Sequence, residues 1–201
     1  HAIMNGEKET GLTTFMIDEN IDTGNILMMK KMEIKETDTA GSLHDKLMYA
    51  GADLVVETVK GLEEKKLVPV KQQDFAADIS SLPEAPRIFK EDCRIKWNNE
   101  VKDVYNFIRG LSPYPAAFSD IKPVQGEEKK IMLKIFDVEY IESIHDLPPG
   151  TIKSDNKSFI HVATKSGFIV VKEILQPGKK RLNIHEFLRG FQDIDKYKFE
   201  I

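Results

Sequence analysis

The sequence predicts an α/β segment followed by an all-β, OB-like open barrel with short helices, and three observations predict it. Apolar, β-favouring runs at residues 12–17 and 25–34 lead into Leu43, Leu47, Ala50, Leu54, Val55, Val59 and Leu62, which recur at three- and four-residue steps. From Glu63 to Glu91 that periodicity disappears, and Gln72-Gln73-Asp74, Ser80-Ser81, Pro83 and Pro86 interrupt any helix or strand. Beyond it lie several short strands and a small helix, the pattern of an open, oligonucleotide-binding type barrel. The expected organisation is residues 1–70, a linker over 71–90, and residues 91–201. Such a linker is longer than compact folds usually use.

The first segment is organised around Asp22, in the turn Ile21-Asp22-Thr23-Gly24 between the two expected strands. A carboxylate held where two strands meet is where a catalytic acid would be placed. It is equally where an ordinary turn Asp stands, bonding its own backbone while Gly24 supplies the positive φ of the turn. The spacing leaves both readings open. Ile26-Leu27-Met28-Met29 is nearly continuously apolar, which fits a strand buried on both faces, with the clustered methionines as core packing. Thr37-Asp38-Thr39 offers capping oxygens to one amphipathic helix over residues 40–62, with His44 facing solvent on its first turn.

In the second segment, Val101, Val104, Tyr105 and Ile108 form one face of a short helix ended by Gly110, and Trp97 reads as a core anchor. Ile131, Leu133 and Ile135 alternate and then shift phase to Phe136, Val138 and Tyr140, which predicts a bulge. Residues 158–164 and 168–175 make two further strands, with His161 on an outward face. Gln176-Pro177-Gly178-Lys179-Lys180-Arg181 closes the barrel with three successive positive charges, and Asn183 with Glu186 caps a short helix that carries His185 in its first turn.

Composition narrows the function classes. With 41% apolar and 31% charged residues in 201, no apolar run approaches the ~18 needed to span a bilayer. The single Cys93 excludes an internal disulfide and cannot anchor a metal site by itself; no metal is expected, and a reducing cytoplasm is the default. Asn156-Lys157-Ser158 matches a glycosylation pattern that means nothing without secretion. A net charge of −4 argues against a whole-surface nucleic-acid binder. Residues 1–86 carry 9 basic and 16 acidic side chains, however, and residues 87–201 carry 20 and 17. Either only the second half meets a polyanion, or the asymmetry is chance variation in solvated surface.

Three ordered blocks carry a resemblance. Asn5-Gly6-Glu7-Lys8-Glu9-Thr10-Gly11-Leu12-Thr13-Thr14, Ile21-Asp22-Thr23-Gly24-Asn25-Ile26-Leu27 and Thr39-Ala40-Gly41-Ser42-Leu43-His44-Asp45-Lys46-Leu47 resemble the second half of the formyltransferase domain of the methionyl-tRNA formyltransferases. Glu91-Asp92-Cys93-Arg94-Ile95-Lys96-Trp97 and Arg109-Gly110-Leu111-Ser112-Pro113-Tyr114-Pro115-Ala116-Ala117 resemble the entry to their C-terminal domain. Leu175-Gln176-Pro177-Gly178-Lys179-Lys180-Arg181 and Phe187-Leu188-Arg189-Gly190 resemble their final block.

The resemblance implies the tail of a formyltransferase-type, Rossmann-like sheet followed by a tRNA-binding domain. It implies formyl transfer from 10-formyltetrahydrofolate to the amino group of methionyl-initiator tRNA, in the bacterial cytoplasm. Nothing in the sequence demands a partner subunit, so a monomer is expected. Asp22 would be the third member of an Asn-x-His…Asp catalytic set. The Asn-x-His pair and a folate-binding loop lie upstream in the family, so the expectation is an incomplete C-terminal part that does not catalyse unaided. Lys179, Lys180 and Arg181 are assigned to tRNA phosphates, with Arg87 and Lys90 as weaker candidates; the alternative is a solvated, Lys-rich turn. Competing functions are a formyltransferase for a nucleotide sugar or a folate, an RNA-binding module only, and an aspartic protease through Asp22-Thr23-Gly24, which would need a second copy of that triplet.

Overall fold

A computed structural model describes residues 1–75, 82–125 and 130–201; Ser80 and Ser81 of the expected linker lie outside them. The chain forms two compact units. The smaller holds Glu7–Asp38 and Ser42–Arg87, and the larger holds His1–Gly6, Thr39–Gly41 and Ile88–Ile201.

In the smaller unit, β1 (Glu9–Phe15) pairs antiparallel with β2 (Ile26–Glu33). Burial along β1 alternates residue by residue, as a strand with one covered face requires. α1 (Ala40–Glu63) turns Leu43, Leu47, Ala50, Leu54 and Thr58 inward, with Thr14 Oγ1 bonded to Thr58 Oγ1 at 2.9 Å. Two expectations fail here. β2 is not buried on both faces: its only ladder partner among the described residues is β1, and Met29 is 54% exposed. Val55 and Val59, expected on the apolar face of α1, are exposed. Their spacing admits two neighbouring stripes on one helix, and the stripe through Leu54 and Thr58 is the covered one.

The start of α1 is organised by Asp38. Its buried carboxylate accepts from Lys46 Nζ (2.6 and 2.7 Å), Lys35 N–H (2.8 Å) and Ser42 Oγ (3.1 Å). Burial works against ionisation, but the Lys46 ammonium, the Lys35 amide and the Ser42 hydroxyl outweigh it, so the carboxyl titrates below its ordinary range. A depressed carboxylate pKa contributes stability that is complete above the unfolded value and is lost as pH falls through the folded value. Asp38→Asn is therefore expected to destabilise the smaller unit at neutral pH and to cost progressively less as pH drops below the usual carboxylate range. Urea midpoints across pH measure this; an equal cost at pH 7 and at the acid end would exclude the linkage.

The larger unit begins with a 3-10 turn at Glu91–Cys93 and α2 (Val101–Gly110), which buries Val101, Val104 and Ile108. The strands follow as β3 (Ala117–Pro123), β4 (Ile131–Glu142), β5 (Ile152–Ser154), β6 (Ile160–Ala163), β7 (Gly167–Leu175), β8 (Leu182–Asn183) and β9 (Tyr197–Phe199). α3 (Ile184–Gly190) lies between β8 and β9. The sheet is antiparallel in the order β5-β6-β7-β4-β3-β9, with β8 on β7. Its ends meet where Thr151 bridges Lys198 and Phe199 N–H donates to Gly150 O at 2.9 Å, giving a nearly closed, barrel-like sheet.

The predicted bulge lies on β4. Its register against β7 shifts between Ile135 and Val138, so Ile135 and Phe136 are both buried and the strand continues in the opposite phase. Trp97 is fully buried in the core of this unit, against the Phe199 ring, as an anchor should be. The Asn183 cap also forms, its side chain accepting from Glu186 N–H at 3.0 Å. His161 is half-buried rather than outward, between Phe159 at 4.6 Å and Phe168 at 6.4 Å, and burial together with Lys172 and Lys153 lowers its pKa. Phe159 stands two positions before it in the chain, and Phe168 comes from the neighbouring strand β7, which alternation along one strand does not reveal.

Candidate functional site

Asp22 sits at the tip of the β1–β2 connection with φ +57°. The left-handed residue is thus Asp22 and not Gly24, a correction to the turn read from sequence. Gly24 serves close approach instead: a Cβ there would lie 1.5 Å from the Met16 carbonyl oxygen, beside the Met16 N–H to Asn25 O bond that closes the connection. Gln72 reaches back to hold the turn, its Nε2 donating to Asp22 O (2.7 Å) and Gly24 O (2.9 Å). The carboxylate that orders the loop is Asp18, which accepts from Thr23 Oγ1 (2.7 Å) and Asn20 N–H (2.9 Å); those two bonds lower its pKa. Asp22 keeps an exposed side chain on a backbone pinned from two directions. The i to i+2 Asp18 bond is visible as a local sequence pattern. Gln72, fifty positions from Asp22, has no such signal.

The expected phosphate contacts separate into different settings. Lys179 and Lys180 stand exposed at the β7–β8 turn, which Gly178 opens at φ +81°, and neither makes an ion pair among the described residues. They share a small surface recess with Leu182 of β8 and Phe187 and Gly190 of α3. Arg181 behaves otherwise. Its guanidinium bonds Glu173 and lies 4.2 Å over the Phe136 ring at the β4 bulge. There it offsets two carboxylates, since burial and the neighbouring Glu173 raise the pKa of Asp137. Arg87 is exposed at the end of the smaller unit, and Lys90 is exposed in the larger unit where the chain enters the 3-10 turn.

Comparison with known proteins places this arrangement. The formyl transferase C-terminal domain family matches residues 87–192, more than half of the chain, and the formyl transferase family matches residues 1–59. The chain belongs to the formyl transferase family. Within the family it is 47% identical over 197 residues to a methionyl-tRNA formyltransferase of Bacteroides thetaiotaomicron, covering 98% of this chain and 60% of that protein. A methionyl-tRNA formyltransferase of Clostridium tetani is 39% identical, with 94% and 57% covered. The chain thus spans about 60% of the length of these relatives. Among solved structures, a variant of HypX from Aquifex aeolicus aligns with a TM-score of 0.65 at 20% identity, covering 95% of this chain and 33% of that one. An N-formyltransferase from Helicobacter canadensis aligns at 0.58 and 21% identity, covering 85% and 57%. These two likenesses establish the formyltransferase-type fold.

Proposed function

We propose that the chain is part of an enzyme that transfers a formyl group from 10-formyltetrahydrofolate to the amino group of methionyl-initiator tRNA, acting as a monomer in the bacterial cytoplasm. Residues 1–70 belong to the catalytic domain and 91–201 to an OB-like tRNA-binding domain, with 71–90 joining them. Gln72 of that stretch packs back on the Asp22 turn, and Ile88–Lys90 belong to the larger unit. The observation that carries the reading is the identity, along 98% of the chain, to a relative named for that activity.

The chemistry suits what Asp22 offers. The amine nitrogen bonds to the formyl carbon to give a tetrahedral oxyanion, collapse of that intermediate breaks the carbon's bond to the folate nitrogen, and the proton lost by the amine ends on that folate nitrogen. The reaction needs a group to handle this proton and donors for the tetrahedral oxyanion. An ionised carboxylate cannot donate to an oxyanion, so Asp22 orients and charge-stabilises a histidine that does, and takes part in handling the amine proton. Its exposure on a pinned turn suits a carboxylate that works on a group brought to it. No other residue of this chain is assigned to the reacting atoms, and no metal is required.

tRNA affinity comes from phosphate contacts, and those release counterions. Lys179→Gln/Lys180→Gln is expected to weaken initiator methionyl-tRNA binding and to reduce the log–log salt slope by roughly 0.7–0.9 per lost contact. Arg181→Gln should change the slope little, because its charge is already matched by Glu173. A titration at two salt concentrations reads both. A slope that the double variant leaves untouched would remove these lysines from the interface, and binding of a nucleotide sugar in place of tRNA would overturn the reading.

A further inference from the structure

A second surface of the larger unit has the composition of a nucleotide site. Between the Ile88–Cys93 turn and the segment leading into β3 lies an open cleft of about 310 Å³, lined by Phe89, Lys90, Tyr114, Phe118, Met132 and Lys134. Two of its aromatic rings lie largely in solvent, Tyr114 at 85% exposure and Phe89 at 56%. Tyr114 is held out by its neighbours. Leu111 and Ser112 are buried just before it, and Ala116 N–H returns to Leu111 O at 2.9 Å just after it.

The charged side chains that line the cleft, Lys90 and Lys134, are both positive. Lys134 Nζ donates to Pro115 O at 3.3 Å, which keeps an ammonium beside Tyr114, and Lys90 makes no ion pair among the described residues. The nearby carboxylates, Glu91 and Asp92, reach the floor through their field on Cys93 and do not line the cleft. Glu91 and Asp92 line a separate cleft with Arg94 and Asn98, and Asp92 Oδ2 is taken up by the Phe89 N–H at 2.8 Å. At the floor, burial pushes the Cys93 thiol pKa up, leaving an apolar surface without a nucleophile. Exposed rings beside lysines, over an apolar floor and without a lining carboxylate, match the requirements of a planar base attached to a phosphate. The volume is at the lower end for small-molecule sites, which suits one base.

We propose that this cleft takes an unpaired nucleotide of an RNA strand, its base stacked on Tyr114 or Phe89 and its phosphate on Lys90 and Lys134. The proposal rests on the tRNA-binding reading and adds to it a contact distinct from Lys179 and Lys180. It supplies affinity for single-stranded RNA through stacking, which is tolerant of sequence.

The test is a titration of a fluorescein-labelled RNA hexanucleotide, a blunt RNA duplex and adenosine 5′-monophosphate into the chain. Initiator methionyl-tRNA is titrated in parallel. Tyr114→Ala is expected to weaken hexanucleotide binding by roughly 5- to 150-fold, the range of one base–aromatic stack, with the salt slope unchanged. Tyr114→Phe keeps the ring and should bind like the parent, while Lys134→Gln should make the slope shallower. The duplex should be indifferent to Tyr114. Since Tyr114 is almost wholly exposed, its truncation leaves the core intact, and far-ultraviolet circular dichroism verifies this.

Hexanucleotide binding unaffected by Tyr114→Ala, Phe89→Ala and Lys134→Gln would overturn the cleft, even where Lys179→Gln/Lys180→Gln still weakens tRNA. Adenosine monophosphate bound as tightly as the strand would overturn the assignment to RNA. If the hexanucleotide binds through Tyr114 while initiator tRNA does not bind, the cleft is upheld and the tRNA reading falls.

Discussion

Asp22→Asn is expected to lower kcat for formyl transfer by about 10²- to 10⁴-fold, the range for losing one positioned acid–base group. The assay calls for protein that includes the part of the relatives' length this chain does not span. Asparagine matches aspartate in size and tolerates a left-handed backbone, so the turn at φ +57° survives the exchange. The Gln72 bonds survive as well, because they go to backbone carbonyls. What disappears is the negative charge. Affinity for tRNA and the urea midpoint should therefore hold while kcat falls. Asp18→Asn is the companion variant: it disturbs the bonds to Thr23 and Asn20, so it should loosen the loop and move stability along with activity. Activity retained within about fivefold in Asp22→Asn would return Asp22 to the status of an ordinary turn residue.

Trp97→Ala is expected to cost about 3–5 kcal/mol of stability in the larger unit. The indole is fully buried, its Nε1–H donates to Ser119 Oγ at 3.0 Å, and its ring lies 4.8 Å from Phe199 on β9. Removing it opens a cavity beside Ser119 of β3 and Phe199 of β9. A typical domain has a total stability of ~5–15 kcal/mol, so much of this unit would be unfolded at modest urea. Denaturation followed by far-ultraviolet circular dichroism measures the loss, the sole tryptophan having been removed. Ser119→Ala should cost about 1–3 kcal/mol by leaving the indole N–H without a partner. A cost below about 1 kcal/mol for Trp97→Ala would show that the core closes over the gap.

Local patterns proved legible where one interaction decides the outcome. The phase change from Ile135 to Phe136 reports which residues face the interior, and a shift of face within a strand requires a bulge. Asn183 followed by Glu186 identifies a cap because the bond spans three residues. Trp97 was legible as an anchor because a large apolar ring is seldom left in solvent. The periodicity of α1 was equally clear, yet its covered stripe was not: Val55 and Leu54 are adjacent in sequence, and only what packs on the helix separates them.

The short strands β5, β8 and β9 apart, the sequence by itself determined the two strands and long helix of the first segment, the helix through Val101 and Ile108, the strands at β4, β6 and β7, the bulge, the capped short helix, and the family blocks around Asp22 and Lys179-Lys180-Arg181. These follow from side-chain period, backbone preference and residue identity, all of which act over a few positions. Only the tertiary structure decided that Asp22 takes the left-handed conformation while Gly24 makes room for the Met16 carbonyl, that Gln72 pins the turn, and that Glu173 and Phe136 hold Arg181. It also decided that Phe89 and Tyr114 share a cleft with Lys90 and Lys134. Each of these depends on residues tens of positions apart meeting in space, and no local spacing records such a meeting.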